Sequence, residues 1–373
     1  MTSPSVLISG AGVAGPTLAY WLASHGFRTT VVERSQGLRS SGNPVDVRGP
    51  ALPVAEGMGI MSRLRDAATQ ATAMSVVNAA GRQVARVSMP TTRSAAGNLE
   101  VEVPRGDLAA ILSEAARGSA DFLFDDTIVG LRQDQDGVDV TFDRAAPRRF
   151  DLVVGADGLH SAVRRLAFGP ERDFVRHMGV YVATMPLGGP VDHPRDVLMY
   201  NTPSRLVSIH PSRGDAVAAF IFRGPAIAGF DYRDTKQHKR IVADAYANVG
   251  WRAPELLERL RRTEDLYFDS VSQVHLPAWA RGRVALLGDA ASCVSLFGDG
   301  SSLAMAGAFT LAEALAADPG DHVGALRRYE IQHRTLVGPK QLGIGRAAAL
   351  IVPKTRLGIA ARNLVARAWP SRG

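Results

Sequence analysis

The sequence predicts an α/β chain whose main lobe is a parallel sheet built from segments far apart in the chain, with an antiparallel sheet inserted as a second lobe. Three observations predict it. Residues 5–9 (S-V-L-I-S), a glycine turn, a helical stretch and residues 28–33 (R-T-T-V-V-E) follow one another as strand, turn, helix, strand. Two more short apolar runs, within 151–158 and 283–289, end in an Asp-Gly or Gly-Asp pair and lie far apart in the chain. Between them, residues 178–223 hold strand-like runs with no long helix, the pattern of an antiparallel sheet.

The elements follow in order. Leu18, Trp21 and Leu22 give residues 16–25 a helical face, and Gly26 suits the helix end. A helix is expected over 50–69, and alternating runs at 74–79 and 83–89 form a hairpin about Ala80-Gly81. Then come a helix at 105–117, strands at 127–133 and 138–142 about Asp136-Gly137, and a buried strand in 151–158 running into a loop. The inserted sheet takes strands 178–185, 196–201, 205–210 and 216–223, followed by helices at 235–248 and 254–262 and a strand at 267–274. A strand at 283–287 and a helix at 301–317 return to the first lobe. The lobes are therefore expected at 1–72, 99–172 and 272–373 for the parallel sheet with closing helices, and at 73–98 and 173–271 for the insertion.

Composition narrows the function. With 46% hydrophobic and 21% charged residues the chain is globular rather than disordered. One cysteine, Cys293, excludes a disulfide framework, a four-thiolate zinc site and an iron–sulfur cluster, so redox chemistry needs an organic cofactor. The nine histidines show no metal-ligand spacing, and no metal is expected. Net charge is +7, yet residues 331–373 alone hold eight Lys or Arg and no acid, leaving the remainder at −1. With Trp369 as the tail's lone aromatic, this reads as a solvated or subunit-facing helix, and no nucleic-acid partner is expected. The apolar Leu342, Ile344, Leu350, Ile351, Leu357, Ile359 and Leu364 are expected to pack the tail on the first lobe, with membrane attachment as the rival. No run of about 18 apolar residues and no secretion signal are seen, so a cytoplasmic monomer or homodimer is expected.

Chemistry begins at Gly10, Gly12 and Gly15, a G-x-G-x-x-G set between strand and helix. Gly10 permits a tight turn, Gly12 lets the backbone approach a pyrophosphate at the helix N-terminus with Val13 and Ala14, and Gly15 allows close packing. Glu33, eighteen residues after Gly15 and followed by Arg34, can accept from both ribose hydroxyls of an adenosine and would repel a 2′-phosphate, which leaves FAD or NAD. A second motif favours FAD. Gly288-Asp289 ends a strand where a carboxylate suits a ribityl hydroxyl, and Gly298, Gly300 and Ser301 open a helix whose N-terminus can hold the flavin's pyrimidine edge.

These motifs, with D-L-V-V-G-A-D-G-L-H-S-A-V-R at 151–164, resemble in order and spacing the three fingerprints of class A flavoprotein monooxygenases, nearest the tetracycline and polyketide hydroxylase branch. The resemblance covers nearly the whole chain and implies a Rossmann-like FAD-binding domain with an inserted antiparallel-sheet substrate domain, the para-hydroxybenzoate hydroxylase-like fold. It implies that Arg105 contacts FAD, that Asp157 and Gly158 serve cofactor and pyridine-nucleotide binding, and that Asp289 holds the ribityl chain. P-V-D-V-R-G at 44–49 is similar to a loop bordering the flavin, which makes Asp46 and Arg48 candidates for the flavin or substrate edge. Arg164 is read as holding the 157–160 loop, His160 as a loop residue and Cys293 as a small buried side chain. One departure stands out: where the family carries G-D-A-A-H followed by Pro and G-x-G, residues 288–302 read G-D-A-A-S-C-V-S-L-F-G-D-G-S-S.

The implied activity is NAD(P)H-driven hydroxylation of an aromatic or polycyclic small molecule through a flavin C4a-hydroperoxide, with non-covalent FAD, in secondary metabolism or xenobiotic modification. Tyr181, Met185, Met199, Ile209 and Phe220 on the inserted sheet are the substrate-binding candidates, although alternation alone does not say which face is core. Oxidation, dehydration and Baeyer–Villiger chemistry on the same fold, and a non-catalytic accessory role, are the alternatives.

Overall fold

The computed structural model describes residues 3–37, 43–89, 97, 100–212, 214–293 and 298–368; Trp369 and Arg372 lie outside them. The chain opens with β1 (Ser5–Ser9), α1 (Ala14–Ser24) and β2 (Arg28–Glu33), and β1 pairs in parallel with β2. After β3 (Val45–Val47) the helix expected over 50–69 is two, α2 (Ala51–Gly57) and α3 (Met61–Ala67). Gly59 divides them with φ +68°, outside helical geometry. Gly57 ends α2 against α1, where a Cβ would stand 2.7 Å from the Trp21 ring.

The hairpin appears as β4 (Ala73–Val77) and β5 (Gln83–Ser88). Next come β6 (Val101–Val103), α4 (Arg105–Arg117), β7 (Ala120–Phe124), β8 (Ile128–Gln133), β9 (Val138–Phe142), β10 (Arg148–Phe150), β11 (Leu152–Gly155) and α5 (Ala162–Ala167). The inserted segment supplies β12 (Val175–Pro186), β13 (Asp196–Thr202), β14 (Arg205–His210), β15 (Val217–Arg223), α6 (Thr235–Tyr246), α7 (Ala253–Arg262) and β16 (Tyr267–Val274). The chain closes with β17 (Ala280–Arg281), β18 (Val284–Leu286), α8 (Asp289–Ser292), α9 (Asp299–Ala317), α10 (His322–Ile351) and α11 (Arg356–Ala368).

Two large sheets organise these pieces. The first runs β17-β18-β11-β1-β2-β7, parallel from β18 to β7. Its inner strands are largely buried, Val6, Leu7 and Ile8 completely: α1 packs on β1, β2 and β7 with α4 and α9 against it, and α5 and β10 contact β11, β18 and β1. Edge strand β7 escaped the sequence reading although Gly118 ends α4 just before it: the strand is five residues long and mostly half-buried, so its apolar alternation is weak.

The second sheet runs β16-β12-β15-β14-β13-β4-β5. It corrects the expectation of a purely antiparallel sheet, since β4 pairs with β13 in parallel. The β4–β5 hairpin comes from a distant part of the chain, so no tight turn obliges it to run against β13. One face of this sheet packs on α6 and α7 through Tyr181, Met185, Phe220, Tyr246 and Leu256. The other face meets the end of α10, where Val180, Leu206, Ile221 and Val271 close on Ile344, Ala348 and Val352.

The C-terminal tail also differs from expectation. Of the seven apolar residues named for packing, Ile344 is buried, Ile351 and Ile359 are half-buried, and Leu342, Leu350, Leu357 and Leu364 are exposed. Ile344 makes the contact together with Ala348 and Val352, and it is the second sheet, not the first lobe, that this cluster joins to α10. α9 is long and apolar enough to cross a membrane by length and composition, but most of it is buried against α1 and α10.

Because Ile344 fills the seam between α10 and the second sheet, Ile344→Ala should lower unfolding stability by about 2–4 kcal/mol. Urea denaturation measures this; an unchanged midpoint would show that α10 does not hold the sheet.

Candidate functional site

Parallel strands place all their C-terminal ends on one edge of a sheet, and the three glycine-acid turns of this chain meet there. Gly10 leaves β1 with φ +107°, and a Cβ on it would lie 2.5 Å from Ala156 O of the turn after β11. Gly15 packs its α-carbon against the Gly10 carbonyl, where any side chain would collide. A Cβ on Gly12 would meet no atom of the described residues within 4 Å, so this stretch of backbone is open to the cleft. The cleft is lined by the 9–14 turn, Glu33, Arg34, Arg105, Asp157, Gly158, Asp289, Gly298, Gly300 and Ser301, among others. The structure therefore gathers cofactor candidates from four separate stretches of chain. Gly15 and Gly288 stand behind the lining as packing positions.

Glu33 already has local duties. Its Oε2 accepts from Ala11 N at 2.8 Å and its Oε1 from Ser35 N at 3.0 Å, so the carboxylate holds the glycine turn that it is expected to serve. Asp157 turns inward: Oδ2 accepts from Ala162 N at 2.8 Å and Val163 N at 3.2 Å, and Oδ1 accepts from Ser161 Oγ, capping α5. Burial raises its pKa. Asp289 sits at the first turn of α8, after Gly288 with φ +62°. Burial pushes its pKa up, and the nearby Arg105 guanidinium opposes this. Arg105 starts α4, so its cation stands at the positive end of a helix and is better placed toward an anion across the cleft.

Asp46 and Arg48 lie beside the start of α9 rather than along the cleft. Arg48 bonds Asp299 Oδ1 through Nη2 at 2.8 Å and Nε at 3.1 Å, and its Nη1 is 3.2 Å from Asp46 Oδ2. Lys340 Nζ reaches Asp299 Oδ2 at 3.0 Å from α10. Ser301 Oγ and Ser302 Oγ both donate to Asp46 O at 2.8 Å, pinning β3 to the α9 N-terminus. Burial raises the Asp46 pKa against the pull of Arg48. Of the altered loop 292–300, residues 294–297 lie outside the described residues, and Cys293 is buried.

Arg164 is completely buried and donates to Ala290 O at 2.9 Å and to Leu159 O, tying the second and third turns together. His160 is more than a loop residue. Its Nδ1 is 3.0 Å from Glu171 Oε1 and its Nε2 is 3.2 Å from Asp269 Oδ1 on β16, while the ring stacks on Tyr232 at 4.1 Å. Two carboxylate acceptors need two N–H donors, which only the imidazolium supplies. Burial disfavours that charge, but Asp269 and Glu171 outweigh it and hold the pKa at about 9.

Sequence reasoning missed three further cleft residues, Tyr232, Arg233 and Tyr267. Tyr232 and Arg233 come from the loop after β15, and Arg34 lies 5.5 Å from the Tyr232 ring centroid. Tyr267, the first residue of β16, also lines the cleft, and burial raises its pKa. A lone aromatic in a loop and a strand's first residue carry no pattern that marks them.

The cleft fits an extended dinucleotide: a bare helix N-terminus at Gly12, a carboxylate at each of two strand ends and a second helix N-terminus at Gly298 lie along one cavity. The FAD binding domain family matches residues 3–333. A flavin-dependent monooxygenase of Legionella longbeachae is 33% identical over 339 residues, 90% of this chain and 86% of its own. The chain belongs to the class A FAD-dependent monooxygenases. Among solved structures, the tetracycline destructase Tet(51) is similar with a TM-score of 0.85 and 30% identity, covering 98% of this chain and 96% of its own. The tetracycline destructase Tet(55) gives 0.84 and 32%, covering 98% and 95%.

Two expectations follow for this monooxygenase. Asp289→Ala should weaken FAD binding more than Glu33→Ala, by roughly tenfold to a hundredfold, the value of a charge-assisted hydrogen bond of about 1.5–3 kcal/mol. Fluorescence titration of FAD into apoprotein measures it, and equal affinities for both variants and the parent would refute the assignment. His160 has a folded pKa above its ordinary value, so its stabilisation is full below about pH 6.5 and is lost as pH rises through about 9. The difference in urea midpoint between parent and His160→Gln should shrink toward about pH 10, whereas a constant difference would mean that the ring is neutral throughout.

Proposed function

We propose that this enzyme uses NAD(P)H and O2 to hydroxylate an aromatic or polycyclic small molecule held between the cleft and the second sheet. The observation that carries the reading is Tyr267, which lies on the second sheet and lines the cleft. Cross-strand partners share a face, so register extends that face from Tyr267 to Thr184, then to Ala219 and Ser208. His210 lies two residues beyond Ser208 on the same side.

This moves the substrate surface away from most of the sequence-named candidates. Tyr181, Met185, Ile209 and Phe220 occupy the opposite face and are almost completely buried, with Tyr181, Met185 and Phe220 packed on α6 and α7. Met199 pairs with Ser208 on the cleft-side face but packs toward the α10 seam. The helices need an apolar partner, and that demand claims the aromatic face.

The cleft-side face offers polar recognition. Thr184 Oγ1 and His210 Nδ1 are buried and find no hydrogen-bond partner among the described residues, while His210 Nε2 is 3.1 Å from Ser208 Oγ. Burial pulls the His210 pKa down to about 4, so the ring is neutral at working pH. A buried polar atom left unpaired costs about 1–3 kcal/mol, and a substrate hydroxyl or carbonyl would recover it. The fit to tetracycline destructases supports a polycyclic, oxygen-rich substrate class.

In this reading Gly12 and the α1 N-terminus hold the FAD pyrophosphate, Glu33 the adenosine ribose, Asp289 and Arg105 the ribityl region, and Gly298, Gly300 and Ser301 the ring's pyrimidine edge. Bound FAD would supply hydride acceptance from NAD(P)H and activation of O2 for oxygen transfer. Tyr232 and Arg233 cover the cleft and limit water entry. The same reading assigns 73–98 and 173–271 to the substrate lobe, supported by β4 and β5 joining its sheet.

The test is substrate-dependent NADH or NADPH oxidation with oxygen uptake, over a panel of tetracyclines and other polyphenolic polycycles under 18O2. One labelled oxygen per product is expected, and His210→Ala should raise KM roughly tenfold with FAD content unchanged. Products lacking label would instead establish oxidation or dehydration on the same fold.

A further inference from the structure

The last helix turns its apolar side outward. On α11, Leu357 is 83% exposed, Leu364 66% and Val365 60%, with Ala360 and Ala361 exposed between them. At about 100° per residue, Leu357, Ala361, Leu364 and Val365 fall within an arc of about 100°. The side against the protein is mixed, with Ile359 and Ala366 half-buried alongside Arg362 and Asn363. Arg362 Nη1 donates to Asn201 Oδ1 at 2.8 Å and to Leu350 O at 3.2 Å, and Asn363 is half-buried beside it. A helix that serves only a fold buries its apolar stripe, and α11 leaves its larger one, Leu357, Leu364 and Val365, outside.

Charge indicates what the stripe meets. Residues 331–373 carry eight Lys or Arg and no acid. Lys354 and Arg356 are exposed at the start of α11, and exposed Arg367 lies beside the stripe near its end, its Nε donating to Val84 O. Two-fold pairing of this face with a second copy would press two purely basic segments together, which like-charge repulsion opposes. A basic rim around an apolar stripe matches a surface that is anionic outside and apolar beneath.

We propose that α11 docks the enzyme on an anionic lipid bilayer, lying in the interface with Leu357, Leu364 and Val365 among the acyl chains and Lys354, Arg356 and Arg367 among the headgroups. Its 13 residues are too few to cross a bilayer, so the contact is peripheral. The face belongs to the edge of the second sheet, where α11 packs on β5 and β13.

The experiment uses the full-length, FAD-loaded protein in co-sedimentation with vesicles of phosphatidylcholine containing about one-third phosphatidylglycerol, and with phosphatidylcholine alone, at about 0.15 M salt. The parent should partition at least about tenfold more strongly to the anionic vesicles. Leu357→Glu/Leu364→Glu, and separately Lys354→Glu/Arg356→Glu, should each lose that binding while keeping FAD content and thermal unfolding, because the altered side chains are exposed. No binding by the parent overturns the proposal, as does equal binding by Leu357→Glu/Leu364→Glu. A concentration-dependent dimer in ultracentrifugation that Leu364→Glu dissolves, without vesicle binding, would assign the face to a second copy instead.

Discussion

Gly15 approaches the Gly10 carbonyl so closely that no side chain fits between them, and this approach sets the angle at which α1 leaves β1. With α1 so placed, its N-terminal amides face the C-terminal edge of the parallel sheet. The turns after β2, β11 and β18 open on the same edge because parallel strands cannot do otherwise. Glu33 then braces the arrangement from the neighbouring strand through the Ala11 amide, so one contact between two backbones lies beneath the whole cofactor cleft.

The remaining turns are held by buried charge. Arg164 has no exposed surface and bridges carbonyls at Leu159 and Ala290, so the Asp157 and Asp289 turns keep their separation. A buried guanidinium is costly to desolvate, and it is retained where several acceptors answer it. His160 does comparable work between lobes, joining Glu171 of the first sheet's loop to Asp269 on β16 and stacking on Tyr232 above the cleft. The cleft and the second sheet are thus joined here by ionic contacts, since the aromatic core of that sheet is turned away toward α6 and α7.

That orientation explains the substrate candidates. Tyr181, Met185 and Phe220 have the size and polarity of pocket residues, yet two amphipathic helices pack on their face and remove it from the cleft. The polar Thr184, Ser208 and His210 attract no notice in the sequence, because small polar residues on a strand usually face solvent. Asp46 and Arg48 were legible as charged residues near the flavin loop, but not their engagement with Asp299 and Lys340, which come from two other helices.

The sequence by itself determined the βαβ opening, the four glycine and carboxylate stations of the cleft, most strands of the second sheet and the family. Those features are written in local patterns: glycine spacing, short apolar runs and an acid at a strand end. Tertiary structure alone decided which face of the second sheet meets the cleft, the parallel pairing of β4 with β13, the split between α2 and α3, and the outward turn of α11. Periodicity marks two sides of a strand or helix, but the side that is buried depends on what the distant chain brings against it.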